Sequence, residues 1–125
     1  MANAFIKEGT TTLFGLLGDG QMTWWSAIAK YPELKIIDVR DEGCAVTMAE
    51  GYAMATGKVG VASATQGPGL ARMTTSLIVA SRSRTPVVVY TSKTSLNNDH
   101  VVQYLNQDQL VSATGAGYID RKSVV

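Results

Sequence analysis

The sequence has little with which to cross-link itself or grip a metal. Cys44 is its only cysteine, so neither an internal disulfide nor a thiolate metal cluster can form, and a reducing, cytoplasmic setting is expected. His100 is the only histidine; it falls in a polar stretch, where a solvated side chain is expected ahead of a proton-transfer role. No metal site is expected. Charge of either sign is scarce in excess: 11 basic and 10 acidic side chains leave a formal +1. No basic run exceeds two adjacent residues, which removes the electrostatic case for a nucleic-acid partner. Apolar runs fall far short of the ~20 residues of a membrane-spanning helix. The opening residues Met1 to Gly9 carry no signal-peptide core or cleavage pattern, and no repeat or low-complexity tract is present.

What remains is the composition of a soluble globular domain. With 125 residues, 46% hydrophobic and 17% charged, the chain reads as one domain, 1–125, large enough for a real core. The stretch from Val39 to Val61 organises the rest. It reads as the end of a buried strand, a helix rich in small residues, a glycine stop at Gly57 and the start of another strand. Ala45, Met48, Ala49, Tyr52 and Ala53 recur at the spacing of one helix face. Asp41 and Glu42 fall in the first turn, where free N–H groups and the helix dipole favour negative charge.

Around that unit, strands are expected over Thr11–Leu17, Lys35–Val39, Val59–Ala64 and Pro86–Thr91, the last with the β-branched run of a strand buried on both faces. Helices are expected over Ala4–Glu8, Thr23–Lys30, Leu70–Ser81 and Gln107–Thr114. A polar loop spans Ser92–His100, and Tyr118-Ile119 reads as the start of a last strand. Strands alternating with helices predict an α/β fold, a doubly wound parallel sheet with helices on both faces. The chain reads as truncated, since Arg121 to Val125 follow a strand-like start with no covering element. In such sheets ligands sit beyond the carboxyl ends of the strands, where Glu42 falls.

Five motifs occur in order: Phe14-Gly15-Leu16-Leu17-Gly18-Asp19, Arg40-Asp41-Glu42, Met48-Ala49-Glu50-Gly51-Tyr52-Ala53, Thr56-Gly57-Lys58-Val59-Gly60-Val61 and Gly67-Pro68-Gly69. Together they resemble the thiamine-diphosphate-dependent enzymes of the acetolactate synthase and pyruvate decarboxylase group, over the amino-terminal domain that holds the aminopyrimidine ring. The resemblance implies that Glu42 hydrogen-bonds N1′ of that ring and favours its imino tautomer, which activates the thiazolium toward a 2-keto acid. Gly67-Pro68-Gly69 opens a helix and either presents N–H groups to an anion or ring or is a tight turn and nothing more; the candidate cofactor contacts beside Glu42 are Gly18, Thr65 and Gly67. Diphosphate and magnesium would be held by a carboxyl-terminal domain absent from this chain, in a homodimer or higher assembly or on a separate chain. Gly18-Asp19-Gly20 is therefore read as a turn and not as a metal motif.

Four departures stand out: Asp41 replaces a histidine, Leu17 a proline and Arg72 an asparagine near the ring, and a glutamine that acetolactate synthases often carry before Asp108 has no clear counterpart, Leu105 falling near it. Taken by position alone, Glu42 would be an ordinary first-turn acid. Trp24 and Trp25 are expected to be packing or subunit-contact residues, Cys44 a small buried hydrophobe, and Arg82 and Arg84 solvated helix-end charges. A second candidate is a dinucleotide-binding module, with Gly18-x-Gly20 after a strand and Asp38 ending the next, although Thr23 fills the third glycine position. A third is a non-catalytic association domain that uses the small-residue helix Gly43–Ala55 as a dimer face.

Overall fold

The strands are short and all parallel. In the computed structural model, which describes residues 2–94 and 100–120, β1 (Thr12–Gly15), β2 (Lys35–Asp38), β3 (Gly60–Ala64) and β4 (Val87–Thr91) form one sheet in the order β2-β1-β3-β4. Phe14 of β1 aligns with Ile37 of β2 on one side and Ala62 of β3 on the other. The helices are α1 (Ala2–Lys7) before β1, α2 (Met22–Ile28), α3 (Glu42–Thr56), α4 (Pro68–Arg72) and α5 (Thr74–Ser83) between the strands, and α6 (Gln107–Thr114) after β4, with a 3-10 turn at Asp19–Gln21. Strand side chains alternate between two cores, as the pleat requires. Leu13, Ile36, Val61 and Tyr90 pack under α1 and α2, whereas Phe14, Ile37, Ala62 and Val89 pack under α3, α5 and α6. Helices therefore cover both faces, as expected.

Helix α3 begins and ends where its sequence dictates. The Asp41 side chain accepts from the Gly43 N–H at 2.9 Å as the N-cap, and Gly57 closes the helix at φ 70°. Ala45, Ala49 and Ala53 let the helix ride close on the sheet, so close that a side chain on Gly60 would run into the Ala49 carbonyl. The buried face differs from the expected one. Val46 and Glu50 are inside, while Met48 is 41% exposed and Tyr52 half-buried. The cause is α5, which lies along the flank of Gly43, Thr47 and Glu50: Ser76 bonds Gly43 and Thr47, and Thr85 bonds Glu50. Cys44 points the other way and is exposed, correcting the expectation of burial.

Strand position overturns a further expectation. β4 is an edge strand with Val88 45% exposed, so it is not buried on both faces; β2 is the opposite edge. The helix expected over Leu70–Ser81 is two helices broken at Met73. Residues 115–120 follow α6 without forming a strand, against the expectation at Tyr118. The tail 121–125 and most of the 92–100 loop lie outside the described residues. Arg82 and Arg84 are exposed at the end of α5, with Arg84 itself in the left-handed cap at φ 53°.

Candidate functional site

The crossovers diverge between β1 and β3, since β1 leads to β2 on one side and β3 to β4 on the other. The loops leaving the carboxyl ends of these two strands meet at that switch point, where such sheets take their ligands. Both loops are lined by small residues because they nearly touch. A Cβ on Gly18, after β1, would sit 2.6 Å from the Cβ of Thr65, after β3. Only glycine allows that approach. Thr65 turns its methyl toward Gly69, while its hydroxyl is buried with no hydrogen-bond partner among the described residues.

Gly67 adopts φ 61°, ψ −112°, open only to glycine, and turns the chain into α4. Its N–H donates to Oε1 of Gln107 at 3.1 Å, and Nε2 of Gln107 donates to the Ser92 carbonyl at 3.1 Å. Alongside, Nε2 of Gln66 donates to Oε1 of Gln103 at 3.1 Å. Glu42, the first residue of α3, lies across from this turn: its Oε1 is 3.5 Å from where a Cβ on Gly69 would be. Asp41 faces outward and accepts a hydrogen bond from the Arg72 guanidinium. That bond holds the Asp41 carboxyl below the usual carboxylate range and raises Arg72. Arg72 also feels the charge of Glu42, so the two departures from the family pattern, at 41 and 72, form one pair beside the carboxylate.

Glu42, Gly18, Thr65 and Gly67 thus sit on three loops at one end of the sheet. Glu42 meets Gly69, and Gly18 meets Thr65; the Gly67 N–H is already engaged. The arrangement offers a carboxylate acceptor and an unpartnered hydroxyl beside loops built of small residues, a set suited to a ring bearing nitrogens. The glutamines were not singled out from the sequence. In sequence, the family glutamine before Asp108 falls near Leu105, which passes over Gln103 and Gln107; their four-residue spacing reads equally as a solvated helix start.

On the opposite face, Gln21 is fully buried, donating to the Ser63 hydroxyl, which donates in turn to the Tyr90 carbonyl at 2.9 Å. Trp24 is buried against Tyr90 and Phe5, with ring centroids 4.5 and 5.6 Å away, and Trp25 is half-buried over Gly15. Both tryptophans are core. The glycines of the first turn do not leave room for a pyrophosphate: Gly20 packs against the side chains of Gln66 and Ser92. The third strand also returns beside β1 instead of continuing past β2, unlike the dinucleotide-binding order. The dinucleotide alternative is therefore not favoured.

Comparison with known proteins gives the family and the fold. Residues 1–114 match the family described as thiamine pyrophosphate enzyme, N-terminal TPP binding domain. Acetolactate synthase large subunit of Haemophilus influenzae is 36% identical over 90 residues, covering 72% of this chain and 16% of that protein. Glyoxylate carboligase of Escherichia coli O157:H7 is 39% identical over 88 residues, covering 70% and 15%. The chain thus spans about a sixth of the length of these relatives. In fold it is similar to the thiamine diphosphate-dependent 4-hydroxybenzoylformate decarboxylase of Rhodococcus jostii RHA1, with a TM-score of 0.80 at 20% identity over 88% of this chain and 21% of that one.

Proposed function

Because the chain belongs to the thiamine pyrophosphate enzyme family, within its N-terminal TPP binding domain, we propose that it forms the pyrimidine-binding half of a carboligase or decarboxylase acting on 2-keto acids. The observation that carries this reading is the Glu42 carboxylate, set against the Gly67-Pro68-Gly69 turn at the switch point between β1 and β3. The residues present fit the ring. Glu42 supplies the acceptor for a protonated N1′ and Thr65 an unpartnered hydroxyl, while Gly18 and Gly69, bare of side chains, let their loops close on Thr65. Bound there, thiamine diphosphate supplies an electron sink for decarboxylation of a 2-keto acid.

The part played by this chain is to hold and orient. Glu42 keeps a proton at N1′ through a charge-assisted hydrogen bond, which contributes about 1.5–3 kcal/mol, enough to shift a tautomer ratio by one to two decades. Asp41 caps α3 and fixes the turn from which Glu42 projects. Diphosphate and magnesium would be held by a diphosphate-binding segment, on a partner subunit or elsewhere in the same polypeptide. The outward face of α3, with Cys44, Met48 and the 74%-exposed Met54, is where a partner subunit would lie. No helix of the described residues is long and apolar enough to cross a membrane, and the lone, exposed thiol suits a reducing cytoplasm.

The test is made on the full-length protein. Glu42→Gln is expected to abolish turnover of 2-keto acids while leaving the circular dichroism spectrum and the unfolding transition in place. Thiamine diphosphate with magnesium is expected to raise the melting temperature of the wild type, and NAD to leave it unchanged. Full turnover by the Glu42→Gln protein overturns the role of Glu42.

A further inference from the structure

We propose that Gln107 is a positioning residue, its side-chain amide locking the Gly67-Pro68-Gly69 turn against Glu42; this rests on the assignment of that turn to the cofactor ring. Gln107 is the first residue of α6, yet it is 3% exposed, buried where most glutamines would be solvated. Its two amide atoms do different work. Oε1 accepts from the Gly67 N–H, and Nε2 donates to the Ser92 carbonyl, both at 3.1 Å. One planar group thereby joins the loop after β3 to the loop after β4.

The turn needs such a tie. Gly67 sits in a backbone region that other residues avoid, and Pro68 after it has no N–H to offer. The Gly67 N–H is therefore the one donor through which the turn can be fastened at that point. The same segment closes on Gly67 from another side: a side chain there would run into the backbone carbonyl of Gln103, and Gln103 holds Gln66. Residues 103–107 thus back the turn, while its far side presents Gly69 to the Thr65 methyl and the Glu42 carboxylate. If the turn shifts away from Gln107, the placement of Gly69 beside the Glu42 carboxylate shifts with it. Glu42 is the acceptor assigned to the ring.

The substitutions that test this separate the two bonds. Gln107→Leu keeps the bulk and loses both. Gln107→Glu can still accept from the Gly67 N–H but can no longer donate to Ser92. In the full-length protein, hydrogen–deuterium exchange of the peptide covering residues 64–73 is followed by mass spectrometry. Thiamine diphosphate binding, with magnesium, is measured by calorimetry beside the unfolding temperature. Gln107→Leu is expected to speed exchange of that peptide and weaken binding at least tenfold, with Gln107→Glu intermediate and both still folded.

Unchanged affinity in the folded variants overturns the positioning role, whether or not exchange quickens. Should the leucine protein fail to fold, Gln107→Glu decides alone: wild-type affinity overturns the proposal and weakened binding with faster exchange supports it. Failure of the underlying assignment looks different. The wild-type protein then shows no saturable binding of thiamine diphosphate, and the positioning role falls with it.

Discussion

The methyl group of Thr65 occupies the place where a side chain on Gly69 would begin: a Cβ there would lie 2.9 Å from it and 3.5 Å from the Glu42 carboxylate. Gly69→Ala is therefore expected to destabilise the protein by about 1–3 kcal/mol, the usual penalty for overpacking a filled space. Removing the opposing methyl with Thr65→Ser should restore most of that loss. Chemical denaturation of the two single variants and the double variant measures the coupling. Strict additivity would show that the two residues are not in contact.

Arg72 and Asp41 give a pH-dependent effect whose sign is fixed by geometry. The guanidinium depresses the carboxyl of Asp41 in the folded chain, so the pair stabilises the fold above the ordinary carboxylate range. That contribution is lost as pH falls through the depressed folded value. Both side chains are substantially solvated, at 67% and 32% exposure, so the effect is small and screened by salt. Arg72→Ala is expected to lower the unfolding temperature at neutral pH and low salt. The difference from wild type should vanish in strong acid or in molar salt. A difference that persists at pH 2 would assign the loss to packing instead.

Glu50 and Thr85 make a buried counterpart. The Thr85 hydroxyl donates to Oε1 of Glu50 at 3.2 Å, joining the middle of α3 to the chain before β4. Thr85→Val leaves the buried Glu50 short of a donor and is expected to cost about 1–3 kcal/mol. Replacing both partners by apolar groups of similar shape, as in Glu50→Met with Thr85→Val, should recover part of it. Urea unfolding of the three variants checks the order, and a double variant no better than Thr85→Val alone would refute the pairing.

The contrast between these sites shows what the sequence makes legible. Local signals carried α3, because Asp41, the three buried alanines and Gly57 each act within a few residues of one another. The loop glycines were legible for the same reason, and their family pattern marked Glu42, Gly18, Thr65 and Gly67. Whatever depends on which element packs beside which was not legible. Glu50 is buried and Met48 exposed because α5 lies on one flank of α3, a choice made by chain segments thirty residues away. Gln107 becomes buried because the loop of residue 67 folds back on it from forty residues upstream.

Strand order supplies the sharpest case. Val61 and Val88 are both β-branched residues in apolar runs and look alike in sequence, yet Val61 is 1% exposed in the interior strand β3 and Val88 is 45% exposed on the edge strand β4. Threonine has nearly the shape of valine and differs by a hydroxyl. At Val61 that hydroxyl enters the core packed under α1 and α2, and a buried hydroxyl with a poor partner costs about 1–3 kcal/mol. At Val88 water can reach it, and the change should stay within about 0.5 kcal/mol. Thermal or urea unfolding of Val61→Thr and Val88→Thr gives the comparison directly. Equal losses would mean that β4 is covered in solution, by more of the polypeptide or by a partner, and that its open edge belongs to this stretch of chain alone.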